Sequence, residues 1–153
     1  MNRPHRISVG AIVSRAGKIL LVRHRKPGAF DFLMLPGGGV EDGEDAPAAA
    51  MREVMEEAAV KVEVVRLAYV EELHILGKRE CKMWFFCEDL GGTPSAAAHE
   101  AVREGIVSAA FCARSELANK TVYPPVLSGD DFWARLEERF PTAEYLGLRE
   151  TGM

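Results

Sequence analysis

Apolar and polar positions alternate with period two over most of the chain, and two stretches switch to helical spacing. Residues 7–14 and 18–25 read as strands around Arg15-Ala16-Gly17, a hairpin by composition and loop length. A loop at 27–31 leads to a short strand at 32–35, which feeds the turn Leu35-Pro36-Gly37-Gly38-Gly39, whose glycines permit positive φ and close backbone approach. A helix through residues 52–57 stops near Ala59, before a β-branched run. The strand at 62–73 follows, with Val62, Val64, Leu67 and Tyr69 as buried candidates. A hairpin turn at 76–79 leads to a strong strand at 80–88, then a loop at 89–98, a strand at 106–112 and a short helix capped by Ser115. Tyr123-Pro124-Pro125 breaks the chain, and residues 130–140 return to helical spacing. The stripe Phe132, Trp133, Leu136, Phe140 is expected in core or homodimer packing rather than in a substrate pocket. Tyr145-Leu146-Gly147-Leu148 is expected to dock, with the last few residues loose. Strands interleaved with helices give an α/β or α+β class, a mixed sheet between helices, with no strand order.

The central helix carries the charge pattern that changes this picture. Asp45 is placed to cap it and Pro47 sits in its first turn. On a wheel of 3.6 residues per turn, Glu53, Glu56 and Glu57 share one face, while Met51, Val54, Met55 and Ala58 fall on the opposite, core-facing side. Neighbouring like charges on a helix cost about 0.2–0.5 kcal/mol per pair, so a surface without a task tends to intersperse lysines. Here Arg52 is the basic residue in reach; it can pair with Glu56, which leaves Glu53 and Glu57 without a local partner. Hard anionic oxygens on a rigid element suit Mg²⁺ or Mn²⁺. The preceding loop brings Glu44 and backbone carbonyls beside that face.

Length and composition bound the rest. With 153 residues, 48% hydrophobic and 27% charged, the chain has the material for one ordinary domain. A net charge of −4 and a pI near 5.6 argue against a large nucleic-acid or anionic-membrane surface. The apolar runs are too short to cross a bilayer and Met1-Asn2-Arg3-Pro4-His5-Arg6 precedes no signal-peptide core, so a cytoplasmic location is expected. Cys81, Cys87 and Cys112 lack metal-binding spacing and read as buried reduced thiols; the four histidines are scattered. Arg23 and Arg25 share a strand face pointing away from His24, either as a solvated strand end or as a diphosphate clamp. Phe30 and Phe32 could stack on a base, although at least one is expected in the core.

The stretch from Gly38 to Val60 resembles the signature of the Nudix hydrolases, G-x5-E-x7-R-E-U-x-E-E-x-G-U. It reads Gly38, Glu44, Arg52, Glu53, Val54, Glu56, Glu57 and Val60, with Ala59 where the family has glycine. A left-handed alanine there costs on the order of 1 kcal/mol more than glycine. The resemblance implies a single Nudix-like α/β/α sandwich around a central mixed sheet over residues 1–153. It implies metal-dependent hydrolysis of a small-molecule nucleoside diphosphate linked to another moiety. Glu57 and Glu53 are then the principal ligands, Glu56 a ligand or base, and Arg52 the residue that orients the glutamates. A Gly37 or Gly38 carbonyl completes the sphere, and Glu44 supports the loop or holds an outer water. Glu100 and Glu104 are candidates for a general base on a later loop. Arg23, Arg25 and Phe32 are candidate substrate contacts. A catalytically inactive nucleotide-binding sensor is the alternative; it predicts an eroded metal face, whereas every glutamate of the signature is present.

Overall fold

The computed structural model describes residues 5–151, so the expectations for Met1-Asn2-Arg3-Pro4 and for Gly152 and Met153 fall outside the described residues. In chain order the elements are β1 (His5–Arg15), β2 (Lys18–Lys26), β3 (Phe30–Met34), β4 (Gly37–Gly39), α1 (Ala46–Ala58), β5 (Lys61–Ile75) and β6 (Lys78–Gly91). They continue with α2 (His99–Arg103), β7 (Ile106–Cys112), a 3₁₀ turn Arg114–Leu117, β8 (Val122–Tyr123), a 3₁₀ turn Pro125–Ser128, α3 (Asp130–Glu137) and β9 (Glu144–Thr151). Among the described residues no helix is long and apolar enough to cross a membrane.

The first hairpin decides the architecture. Ala16 and Gly17, at φ 53° and 77°, close a two-residue turn whose twist suits the flanking strands. β1 and β2 then pair only as Ser14 with Ile19 and Arg15 with Lys18 before they part. β1 runs parallel to β6, and β4 takes over the edge that β2 vacates. β2 instead pairs with β3 and β7. The mixed sheet has the order β8-β3-β2-β1-β6-β5-β9, with β4 and β7 as side branches, and it opens where β1 and β2 separate. Both hairpins and the mixed-sheet class agree with the sequence pattern.

Strand alternation divides the core in two. Val9, Ala11 and Val13 of β1, Leu20 and Val22 of β2, and Phe85 and Cys87 of β6 face α1 and α2 through Ala49, Ala50, Val54, Ala58 and Ala101. The intervening residues Ile12, Ile19, Leu21, Trp84 and Phe86 pack with Phe132, Leu136 and Phe140 on the α3 side. Helices therefore cover both faces of the sheet, and each large apolar side chain buried this way contributes about 1.5–3 kcal/mol. The aromatic stripe of the last helix is core.

Several expectations change. Met55 is 46% exposed, because the buried arc of α1 runs through Ala50, Val54, Glu57 and Ala58 and leaves residue 55 outside it. Gly37–Gly39 is a strand and not a turn, and none of the three glycines has positive φ. Their use is close approach: a Cβ on Gly37 would lie 2.2 Å from the Val9 carbonyl oxygen. Residues 99–103, expected as loop, form α2. Ser115 lies inside the 3₁₀ turn that Ala113 precedes, so it is no cap. α3 ends at Glu137, and Arg139 and Phe140 turn left-handed beyond it. The docking expected of residues 145–148 is a full strand, β9, parallel to β5. Cys81 is exposed, since β6 alternation turns it away from Lys82; Cys87 is buried as expected.

The helix termini follow the expectations. Asp45 accepts from the Ala48 N–H at 2.9 Å. Ala59 adopts φ 60° and ψ 25°, and its N–H donates to the Met55 carbonyl at 3.1 Å. An L side chain is strained in that conformation, so Ala59→Gly is expected to stabilise the protein by about 1 kcal/mol, raising Tm by about 2–4 °C in thermal unfolding. An unchanged or lowered Tm would show that the left-handed cap is not strained.

Candidate active site

Arg52 is the hub of the acidic helix. Its Nε and Nη2 donate to the two Glu44 oxygens at 3.1 and 2.7 Å, and Nη2 also donates to the Gly39 carbonyl at 3.0 Å. Nη1 donates to Glu53 Oε1 at 2.9 Å and to Glu56 Oε2 at 3.1 Å. The planar fork of an arginine supplies five donors, which is what tying loop, strand and helix together at one point requires. The expected Arg52–Glu56 pair is present. Glu53 is not without a basic partner, because the guanidinium bends back along its own turn.

Glu57 is turned inward and only 4% exposed, and its Oε1 accepts from the Gly37 N–H at 2.9 Å. Burial pushes its carboxyl up to about 8, with the Gly37 hydrogen bond opposing and the Glu53 charge adding to the rise. Burial also raises Glu53, against the pull of Arg52. Glu44, by contrast, is held below the usual carboxylate range by Arg52 and by the Glu41 N–H. Gly38 is what lets Glu53 stand where it does: a Cβ there would come within 2.6 Å of Glu53 Oε1. Gly38→Ala is therefore expected to displace the flexible Glu53 carboxylate while leaving the fold intact. Isothermal titration should show weaker Mg²⁺ binding with little change in Tm; unaltered binding would free Glu53 from that role.

These side chains frame two adjoining cavities. One, of about 360 Å³, is lined by Glu53, Glu56, Glu57, Glu100 and Glu104 with Arg52 at its edge. The other, of about 390 Å³, runs from Gly37, Gly38 and Glu57 into the opening between the parted strands. Its far wall carries Lys82, Trp84 and Arg149, and its near wall His24, Met34 and Tyr123. Glu104, just past α2, lines both cavities, and Glu100 lines the outer one.

Other sequence candidates go elsewhere. Arg23 and Arg25 project from the side of β2 opposite His24 and are held by Asp31, at 2.7 and 4.0 Å. They line neither cavity, because period two hands the inward position to His24. Glu44 faces Arg52 and not either cavity. Phe32 stacks on His24 with ring centroids 4.8 Å apart. It lines a shallower hollow of about 540 Å³ that shares His24 and Tyr123 with the deep cavity. Sequence reasoning missed Lys82, Trp84 and Arg149. A signal existed for two of them: Glu80 and Lys82 are polar residues on the same parity as Trp84 and Phe86, so the inward face of β6 carries charge. Lys82 is 5% exposed, and its ammonium is disfavoured by burial while Glu80 and Glu57 pull the other way.

Among the described residues no three His, Cys, Asp or Glu side chains already converge on one point as metal ligands. Arg52 and the Gly37 N–H hold one oxygen each of Glu53, Glu56 and Glu57. The donor set is nevertheless all oxygen, and burial, the main cause of the upward shifts of Glu53 and Glu57, leaves these carboxylates poorly solvated when ionised. That is the chemistry a hard divalent cation fits.

Residues 4–127 match the NUDIX domain. Nudix hydrolase 5 of Arabidopsis thaliana is 33% identical over 91 residues, which cover 57% of this chain and 30% of that protein. The RNA pyrophosphohydrolase of Dinoroseobacter shibae is 38% identical over 64 residues, 42% of this chain and 40% of that one. The chain thus spans well under half the length of these two relatives. Among solved structures, a NUDIX hydrolase from Nitrosomonas europaea superposes with a TM-score of 0.76 at 19% identity, covering 99% of this chain and 81% of its own. The MutT NUDIX hydrolase of Burkholderia pseudomallei is 27% identical with a TM-score of 0.63, over 78% of this chain and 91% of its own.

Proposed function

We propose, from the premise that the chain belongs to the Nudix family, that it hydrolyses the diphosphate linkage of a nucleoside diphosphate joined to another moiety. The observation that carries this reading is the buried Glu57 carboxylate, held by the Gly37 N–H, which lines both adjoining cavities beside Glu53 and Glu56. Glu57 and Glu53, with Glu56, are the residues that would hold Mg²⁺ or Mn²⁺, and the Gly37 or Gly38 carbonyl would complete the sphere. When bound, such an ion neutralises phosphate oxygens and lowers the pKa of its water. Arg52 orients Glu53 and Glu56 and keeps the Glu44 loop against the helix. Of the three candidate bases, Glu56, Glu100 and Glu104, the last lines both cavities and is taken as the base: it would accept a proton from water as the water oxygen attacks phosphorus. The phosphorus–oxygen bond of the anhydride breaks, giving a nucleoside monophosphate and a phosphorylated partner.

A titration of Mg²⁺ against turnover on a panel of nucleoside diphosphate compounds tests the reading. The panel includes an RNA with a terminal pyrophosphate, because three relatives are RNA pyrophosphohydrolases, although the net charge of −4 favours a small molecule. Metal-dependent turnover supports the proposal. Tight nucleotide binding without turnover would make the protein a sensor instead.

A further inference from the structure

Among the described residues three line both adjoining cavities: Glu57, Glu104 and Arg6. The two carboxylates have roles in the reading above, and Arg6 has none. It stands near the start of β1, opposite Glu80 of β6, with its side chain 53% exposed. Its partnering is thin for an arginine in an acidic cleft. Glu80 Oε1 lies 3.6 Å from Nη1, beyond hydrogen-bond length, and the other Glu80 oxygen accepts from the Ser8 hydroxyl at 2.9 Å. Among the described residues no hydrogen bond engages the Arg6 guanidinium. The other guanidinium groups nearby are committed or stand aside. Arg52 donates to Glu44, Glu53 and Glu56, Arg149 donates to Glu71, and Arg103 lines the outer cavity alone.

The backbone makes room for this side chain. A Cβ on Gly39 would lie 2.8 Å from Arg6 Nη2 and 3.1 Å from Nε, so Gly39 serves Arg6 as Gly38 serves Glu53. The guanidinium therefore rests against β4, at the seam between the carboxylates of the acidic helix and the deep cavity. Two residues along β6 from Glu80, the Lys82 ammonium is disfavoured first by burial and also by the Arg6 charge. An oxyanion at the seam relieves that repulsion and supplies acceptors for the free N–H donors of Arg6. The planar fork of an arginine also matches two oxygens of one phosphoryl group at once. Given cleavage of a diphosphate linkage, the reading on which this step rests, we infer that Arg6 is a catalytic residue, holding non-bridging phosphate oxygens of the substrate where the two cavities meet. There it offsets the negative charge that builds as the anhydride bond breaks. The departing oxygen takes the electron pair of that bond, and Arg6 neither gives nor takes a proton.

The test compares the wild-type protein with Arg6→Gln, Arg6→Lys and Gly39→Ala on a panel compound that the wild type hydrolyses with Mg²⁺. Arg6→Gln should lower kcat by about 10²-fold, the scale of losing one donor to a developing oxyanion, and Arg6→Lys, a point charge without the fork, should restore part of it. Tm should change little, because the contact with Glu80 is long and solvated. Gly39→Ala keeps the charge but pushes the flexible guanidinium aside, so it should lower kcat by about 10-fold and add little on top of Arg6→Gln. A second readout needs no turnover: in isothermal titration with EDTA, inorganic pyrophosphate should bind Arg6→Gln about 10-fold more weakly than the wild type. An unchanged kcat in Arg6→Gln, or equal pyrophosphate affinities, would overturn the inference. If Arg6→Gln does not fold, Gly39→Ala carries the test by the same two readouts. Should no panel compound be hydrolysed, the proposed function fails, and the pyrophosphate comparison decides the anion site by itself.

Discussion

Glu57→Gln is expected to lower kcat by about 10³-fold, the scale of losing one preorganised electrostatic contact at a reacting phosphoryl group. The substitution keeps the shape of the side chain, and its amide oxygen can still accept from the Gly37 N–H that Glu57 binds at 2.9 Å. Folding should therefore survive. The loss should appear in kcat at saturating Mg²⁺, together with weaker metal binding by titration calorimetry. Full retained turnover would remove Glu57 from the chemistry and leave Glu53 and Glu56 to account for it.

The same residue governs how metal-free stability responds to pH, with an effect of a few kcal/mol. The Glu57 carboxyl sits at about 8 in the fold against an ordinary value of 4.5, so the native state holds a proton that the unfolded chain has released across that window. Its contribution is complete below about pH 4.5 and is lost as pH rises through about 8. Thermal unfolding in EDTA should show Tm falling by several degrees across the interval. Glu57→Gln, which has no proton to lose, should flatten that part of the curve. Mg²⁺ binds the ionised form, so its stabilising increment should grow with pH in the wild-type protein and shrink in the variant. A wild-type Tm that rises through the window without metal would contradict the buried carboxyl.

The acidic helix was legible in the sequence because its charges recur at offsets of three and four, a spacing that local geometry alone turns into a face. The cap at Asp45, the left-handed Ala59, both hairpins and the aromatic stripe of α3 were legible for the same reason: each is settled within a few residues. The rotation of the helix was not, since Met55 and Glu57 exchange expected environments only when Gly37 arrives to bind Glu57. Strand order also depends on partners far apart in the chain, such as Lys82 opposite Ser8 and Glu71. β9 was hidden by Gly147 at φ 94° and by the register shift opposite Val70 and Glu72, which spoil its alternation. The deep cavity was out of reach because single residues from many strands assemble it. Arg23 and Arg25 looked functional by charge, but the alternation that puts His24 inside turns them out.

The family match ends at residue 127, whereas Arg149 comes from the closing strand β9. Part of the wall of the deep cavity therefore comes from outside the stretch that carries the family pattern. Exchanging residues 144–151 for those of another protein of this fold is expected to reshape that wall while the acidic helix, on a separate element, stays as it is.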